Sequence, residues 1–165
     1  MQRILGIDPG LRITGFGVVE LPDGRIEPRL LEAGIIKLIE TQSIEQRLVQ
    51  LHQDLDELIV ELDPTCLAVE NLYAHYRHPR TAILMAHARG VILLCAQQRD
   101  LMVVNLPSTE VKRAVTGYGH ASKEQMQRAV QTQCGLTELP HPPDVADAIA
   151  IALTCARRIA VKHPP

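Results

Sequence analysis

The chain opens with the stretch Arg3-Ile4-Leu5-Gly6-Ile7-Asp8-Pro9-Gly10, an apolar run that carries a single carboxylate to its end. A short apolar run of this kind predicts a buried β-strand, and the Pro-Gly pair ends it. Asp8 alone is ambiguous, because Asp-Pro-Gly is also a favourable turn sequence. Three further carboxylates, Glu70, Asp144 and Asp147, occupy comparable positions. We therefore expect one acidic, metal-binding site around which most of the chain is arranged.

The composition favours one globular domain. The chain has 165 residues, of which 46% are apolar and 2% aromatic, so aliphatic side chains must fill the core. We see no basic segment followed by a long apolar stretch, and we expect neither a secretory signal nor a membrane-spanning helix. We predict a single domain over residues 1–161 and a disordered tail over residues 162–165.

The cysteines and the net charge narrow the class of protein. The cysteines are Cys66, Cys95, Cys134 and Cys155, and no pair has C-x-x-C spacing. This pattern predicts reduced thiols in a cytoplasmic protein rather than structural zinc or a disulfide framework. The formal net charge of −2 does not by itself indicate nucleic-acid binding. A DNA-binding chain of this composition would have to gather its positive charge on one face, because phosphate contacts are electrostatic.

Three strands are expected to come first. Small, aromatic and β-branched residues alternate over Thr14–Glu20, which predicts a second strand after the opening run. A turn at Leu21–Gly24 and a third strand over Arg29–Leu38 complete an antiparallel unit. A helix then begins at Ser43, where Gln46 completes a capping box.

Strands and helices alternate in the second half of the chain. The first helix ends before Pro64, and Cys66–Glu70 repeats the pattern of an apolar strand that ends in a carboxylate. A helix over Thr81–Gln98 and a fifth strand over Leu101–Leu106 follow. Such strand–helix–strand units imply parallel pairing, so we predict an α/β fold with a mixed five-stranded sheet, three antiparallel strands and then two parallel ones, flanked by helices. Three more helices are expected: a short one containing Lys112, one capped by Ser122, and one from about Asp144 to about Ala160.

The helix over Thr81–Gln98 is apolar on nearly all sides. A helix of this kind is buried inside a monomer or lies in a subunit interface. Ala86 and Gly90 are small residues four positions apart, so another backbone could approach the helix closely at this point. The sequence leaves both interpretations open.

The pair Asp144 and Asp147 lies on one face of the last helix. Asp144 can be explained by the favourable interaction of negative charge with a helix N-terminus. Asp147 is harder to explain, because its neighbours are apolar and an unpaired carboxylate near the core is costly. Glu70 is either a strand-edge residue or a ligand. Oxygen-only ligands suit Mg²⁺ or Mn²⁺, and two such ions can activate water and stabilise a leaving oxygen in phosphodiester hydrolysis.

Several short motifs occur in order along nearly the whole chain. They are Ile4–Gly10, Thr14–Val18, Ala68–Glu70, Ala88–Val91, Pro107, Val111–Lys112, Gly117, Lys123 and Asp144–Ala150. The ordered set resembles the RuvC family of bacterial Holliday-junction resolvases. The resemblance implies a ribonuclease-H-like fold, a homodimer, and nicking of four-way DNA junctions that depends on Mg²⁺, with Mn²⁺ as a substitute. It also implies a role in homologous recombination and DNA repair.

The resemblance implies roles for individual residues. The four catalytic, metal-binding acids fall on Asp8, Glu70, Asp144 and Asp147, with two ions in each active site. A junction-probing aromatic falls on Tyr73, which can stack on a base, and basic DNA contacts fall on Lys112 and Lys123. The helix over Thr81–Gln98 corresponds to the element that pairs the subunits. Paired symmetric nicks that leave 5′-phosphate and 3′-hydroxyl ends are implied as well, as are branch-migration motor proteins as partners.

The remaining basic residues fit a phosphate track beside the acids. Arg77 and Arg80 follow Tyr73, and we expect them to contact DNA, although ordinary solvated charge is the alternative. His141 is the histidine nearest the acids in sequence and is a minor catalytic candidate. Three other functions stay open: a nucleotide-binding protein of the actin and sugar-kinase class, a non-catalytic junction-binding module, and a ribonuclease-H-like nuclease that acts on RNA.

Overall fold

The structure is a computed structural model that describes residues 1–72 and 79–162. Every predicted strand and helix is present, with ends shifted by one or two residues. The last helix continues to Lys162, the first residue of the predicted tail, and residues 163–165 lie outside the described part. The strands are β1 (Gln2–Asp8), β2 (Ile13–Leu21), β3 (Arg29–Lys37), β4 (Cys66–Glu70) and β5 (Met102–Leu106). The helices are α1 (Ile44–Leu62), α2 (Pro79–Gln98), α3 (Ser108–Thr116), α4 (Lys123–Cys134) and α5 (Pro143–Lys162).

The strands form one five-stranded sheet in the order β3-β2-β1-β4-β5. The pairs β1–β2 and β2–β3 are antiparallel, whereas β1–β4 and β4–β5 are parallel. The prediction of a mixed α/β sheet is therefore confirmed. Because Ile7 pairs with Val69 in the parallel register, the carboxyl ends of β1 and β4 lie side by side at one edge of the sheet.

Side-chain alternation along the two central strands directs both of their carboxylates to the same face. Leu5 and Ile7 on β1 belong to the apolar cluster that packs against α1 and α2. Ile4 belongs to the cluster on the opposite face, which contains most of α5. Since successive strand residues point to opposite faces, Asp8 falls on the α5 side. The same count along β4, from Ala68 in the α5 cluster, places Glu70 on that side too.

Helix α5 lies close to the sheet because three glycines, Gly6, Gly15 and Gly17, face it. A Cβ at Gly6 would lie 2.6 Å from the backbone nitrogen of Ala152, and a Cβ at Gly15 would collide with the backbone carbonyl of Asp144. No side chain separates the helix from the strands at these points. The packing therefore brings the first turns of α5 directly onto the ends of β1 and β2.

Local signals fix several helix ends. The Ser43 hydroxyl accepts a hydrogen bond from the backbone N–H of Gln46, and the Gln46 side chain accepts one from the Ser43 N–H, which completes the predicted capping box. Ser122 and Gln125 form the same arrangement at the start of α4. Asp63 ends α1 in the left-handed conformation, with φ of 46°, directly before Pro64.

Helix α2 is buried on one face only. Ala88, Ile92 and Cys95 pack under the sheet and are fully buried. On the opposite face Ile83 is 55% exposed and Leu94 is 54% exposed. The apolar residues of α2 are therefore divided between the core and an apolar stripe that this chain leaves exposed.

The cysteines and the helices give two further findings about the described part. All four cysteines are free thiols, and the sulfurs of Cys66 and Cys155 lie 3.8 Å apart in the core between β4 and α5. None of the helices in residues 1–72 and 79–162 combines the length and the apolar character needed to cross a membrane.

Candidate acidic active site

Three of the predicted acids line one depression at the carboxyl edge of the sheet. Asp8 ends β1, Glu70 ends β4, and Asp147 projects from the second turn of α5. The depression has a volume of about 370 Å³, and its wall also contains Ser108, Lys112, Ser122 and Lys123. Asp144, one turn earlier on α5, lines an adjoining depression of about 700 Å³ together with Asp8 and Asp147. The fold thus brings residues that are up to 139 positions apart to one place.

Asp8 experiences the negative charge of all three other acids. Burial raises the pKa of its carboxyl group from 3.8 to about 8, and the charges of Asp147, Glu70 and Asp144 add to the effect. The positive charge of Lys123 opposes the shift. Ionisation of Asp8 in the protein without bound cations is therefore unfavourable at neutral pH.

Glu70 and Asp147 show the same behaviour. Burial raises the pKa of Glu70 to about 7, with a further contribution from Asp147, whereas the charge of Lys112 and a hydrogen bond with Ser108 lower it. The pKa of Asp147 is also raised, chiefly by burial, while Lys123 and Lys112 oppose the shift. The two lysines are thus near enough to act as counter-charges to the acids.

The chemistry of this group of side chains fits hard divalent cations. It offers only carboxylate oxygens, which suit Mg²⁺ and Mn²⁺, and the mutual repulsion of its charges would be relieved by a cation. Across residues 1–72 and 79–162, no three histidine, cysteine, aspartate or glutamate side chains are grouped tightly enough to form a closed ligand set as they stand. The carboxylates are thus neighbours that a cation could bridge.

Two residues that the sequence did not single out hold Glu70 in position. Ser108 begins α3 directly after β5, next to Glu70, and hydrogen bonds with it. Arg89 of α2 donates from Nε to the backbone carbonyl of Glu70 at 3.2 Å, and from Nη2 to the side chain of Asn105. Ser108 could have been found, because it follows the strand that is parallel to β4 and therefore lies at the same sheet edge.

The turn after Asp8 is also held by specific hydrogen bonds. The Gly10 N–H donates to the Thr14 hydroxyl at 3.1 Å, and that hydroxyl donates to the Gly10 carbonyl at 2.8 Å. Arg47, from the first turn of α1, donates from Nη1 to the Leu11 carbonyl at 2.9 Å. These contacts fix the backbone that leaves Asp8. Sequence reasoning missed Arg47, because nothing local to α1 indicates a contact with the first turn.

The other predicted site residues lie elsewhere. Arg80 is exposed in the first turn of α2 and lines neither depression. His141 is exposed and is also absent from both walls. Tyr73 and Arg77 lie outside the described residues.

A mixed sheet of this order, with carboxylates at the ends of β1 and β4 and on the last helix, defines a ribonuclease-H-like protein. Comparisons with known proteins identify the family. A family model described as crossover junction endodeoxyribonuclease RuvC matches residues 4–155. The RuvC proteins of Rhodopirellula baltica and Desulforamulus reducens are 46% and 41% identical to the chain, over 91% and 93% of it and over 83% and 93% of their own lengths.

A solved structure agrees with the sequence relatives. The RuvC protein of Thermus thermophilus, in complex with a Holliday-junction substrate, superposes with a TM-score of 0.88 at 33% identity. The match covers 98% of this chain and 97% of that one. The chain therefore belongs to the RuvC family of crossover junction endodeoxyribonucleases.

Proposed function

We propose that this protein is a structure-selective endonuclease that resolves four-way (Holliday) DNA junctions in recombination and repair. Paired symmetric nicks would leave 5′-phosphate and 3′-hydroxyl ends. The observation that carries the proposal is the meeting of Asp8, Glu70 and Asp147 with Lys112 and Lys123 in one depression. Membership of a family named for this reaction, and likeness to a relative whose structure contains a Holliday junction, support it.

The four acids are the proposed holders of the metal. Asp8, Glu70, Asp144 and Asp147 would bind Mg²⁺, or Mn²⁺ in its place, with two ions in each site. When bound, such ions supply the Lewis acidity that activates water and stabilises the departing oxygen. Asp8 ends the central strand and is influenced by the charges of the other three acids, so we propose that it would be the central holder of the metal.

The basic residues are proposed to hold the DNA backbone. Lys112 on α3 and Lys123 at the start of α4 reach the acids from two different helices. Their positive charges offset the repulsion between a phosphodiester and the carboxylates. Tyr73, Arg77 and Arg80 are proposed as further contacts with the junction.

The proposed assembly is a homodimer. The exposed apolar stripe of α2, which includes Ile83 and Leu94, would be covered by the same stripe of a second copy. Two copies would then present two acidic sites to strands of one junction. We propose that the enzyme acts on chromosomal DNA in the cytoplasm, with branch-migration motor proteins as partners.

A cleavage assay tests this function. The substrates are a synthetic mobile four-way junction, a linear duplex and an RNA–DNA hybrid, each with Mg²⁺. We expect paired nicks in the junction alone, and we expect Asp8→Asn to lose at least ~100-fold in rate, or about 2.7 kcal/mol of transition-state stabilisation, while still binding the junction. Asp100→Asn is a matched control, because Asp100 is an exposed turn residue after α2.

The alternative outcomes are informative. Cleavage of the hybrid instead of the junction would move the function to RNA processing. Tight junction binding by the wild-type protein without cleavage would favour a binding module. Full activity in Asp8→Asn would contradict the proposed role of the acids.

A further inference from the structure

The acids lie between two depressions, and the function proposed above assigns a role in the larger one to the acids and Lys123 alone. The smaller depression contains Ser108 and Lys112. The larger one, about 700 Å³ in volume, extends in another direction along the turn after β1 and the first turns of α1 and α2. Both share Asp8, Lys123 and Asp147. Residues that line the larger depression but not the smaller one include Leu11, Arg12, Arg47, Leu84 and Met85.

Arg47 lines this larger depression and brings a positive charge to it. Across residues 1–72 and 79–162, no carboxylate lies within ion-pair distance of its guanidinium group. Its Nε is shielded from solvent and has no hydrogen-bond partner in that part of the chain. Arg12, by contrast, pairs with Glu40 at 3.0 Å. A partly buried cation without a counter-charge is unfavourable, and an anion at this place would stabilise it.

A nucleic-acid strand carries the negative charge that could pair with the guanidinium group of Arg47. A strand whose scissile phosphate lies at the acids must leave the site in two directions, and each direction brings further phosphates close to negative carboxylates. Lys112 offsets this repulsion on one side. On the other side, within the depression, Arg47 and Lys123 are the cations that have no ion-pair partner in the described residues.

We propose that the larger depression is a second DNA-binding subsite, in which Arg47 contacts the phosphodiester next to the scissile one. The apolar wall formed by Leu84 and Met85 would contact the sugar or base of that nucleotide. This inference rests on the proposed function and deepens it, because it names the path of the cleaved strand on the far side of the acids from Lys112.

The salt dependence of junction binding tests the subsite. Each phosphate neutralised by a protein cation contributes about −0.9 to the slope of log K against log salt concentration. Arg47→Gln keeps a side-chain donor for the Leu11 carbonyl but removes the charge. We expect this variant to reduce the steepness of the slope by ~1 and to weaken binding by about tenfold near 0.1 M salt. Binding is measured with Ca²⁺ in place of Mg²⁺ so that the junction stays intact.

Two further variants separate charge from structure. Arg47→Lys keeps the charge, and its slope should match that of the wild-type protein. Arg99→Gln is the matched control, because Arg99 pairs with Asp56 at the opposite end of the parallel strands from Glu70, and it should leave the slope unchanged. Thermal unfolding of each variant establishes that it is folded.

The outcomes distinguish this inference from the proposed function. A wild-type protein that cleaves the junction, combined with an unchanged slope in Arg47→Gln, would overturn the subsite alone. Slower cleavage in both Arg47 variants with unchanged slopes would show that Arg47 acts only by holding the turn after Asp8, and would overturn it too. A wild-type protein that neither binds nor cleaves the junction would overturn both proposals.

Discussion

Asp8 shows how the fold places a carboxylate where the surroundings oppose its charge. Burial and three neighbouring acids raise its pKa to about 8, and Glu70 and Asp147 are shifted in the same direction. Negative charges held together before any cation binds lower the stability of the metal-free protein.

The raised pKa of Asp8 predicts that the effect of Asp8→Asn on the free energy of unfolding depends on pH. The pKa of Asp8 is raised in the folded state, so the stabilisation from its proton is complete below about pH 4 and is lost as the pH rises through about 8. In EDTA, the variant and the wild-type protein should have similar free energies of unfolding near pH 4. At pH 7.5 the variant should be more stable by roughly 2 kcal/mol or more, since each pKa unit is worth ~1.4 kcal/mol. Urea unfolding at the two pH values measures this difference.

The control for this measurement is again Asp100→Asn, which changes the same chemical group at an exposed turn. It should differ from the wild-type protein by the same amount at both pH values. If Asp8→Asn behaved like this control, the electrostatic description of the acidic site would be wrong.

At the scale of elements, the position of α5 depends on the lack of a side chain at Gly15. We expect Gly15→Ala to reduce the free energy of unfolding by about 1–3 kcal/mol, the usual cost of overpacking. Cleavage should slow as well, because the new methyl group pushes Asp144 and Asp147 away from Asp8. Chemical unfolding and the junction assay measure the two effects.

A matched substitution tests whether the effect is local. Gly24 lies in the β2–β3 turn with φ of 72° and open space around it. Asparagine accepts this conformation, so Gly24→Asn should change stability by only a few tenths of a kcal/mol, on the order expected for an exposed turn. Wild-type behaviour in Gly15→Ala would contradict the direct helix–sheet contact.

Sequence reasoning succeeded where short-range signals decide the structure. The capping boxes at Ser43 and Ser122 were predictable because donor and acceptor are three residues apart. The strands that end at Asp8 and Glu70 were predictable from their apolar runs. The mixed sheet followed from the order of strands and helices.

The parts that could not be predicted depend on distant contacts. Arg47 meets the Leu11 carbonyl across 36 positions, and Arg89 meets the Glu70 carbonyl across 19. Neither contact has a local pattern. The burial of only one face of α2 could not be predicted for another reason. The helix is apolar on both faces, so the periodicity of its sequence could not separate the core face from the exposed face.

At the scale of the whole molecule, the exposed face of α2 predicts the oligomeric state. Leu94→Glu places a charge in the proposed interface, where its desolvation would cost ~3 kcal/mol and weaken the dimer by about 100-fold. Sedimentation should show monomers at concentrations at which the wild-type protein is dimeric. Paired nicking should be lost in favour of slow, single nicks.

Val60→Glu provides the comparison, because Val60 is an apolar residue on α1 with a similar exposure of 59%. It should remain dimeric and active. A monomeric wild-type protein, or a Leu94→Glu variant that remains dimeric, would contradict the proposed interface.

The proposed interface and the proposed active site share one helix. Arg89 belongs to α2, and its guanidinium group holds the end of β4 at Glu70.

The net charge of −2 is the sum of an acidic edge of the sheet and the cations around it. A description of the whole molecule by its total charge or its total hydrophobicity would therefore miss the feature that matters, which is where each is concentrated.

The contact between α5 and the three glycines Gly6, Gly15 and Gly17 means that substitutions of the glycines can change the site in one direction only. No side chain separates the helix from the sheet at these points, so any side chain at position 6, 15 or 17 can only act as a spacer. Substitutions at these positions can widen the distance between the carboxylates but cannot narrow it. Glycine, alanine, serine and valine at position 15 would form a graded series of spacers, with which an experimenter could measure how much separation the acids tolerate.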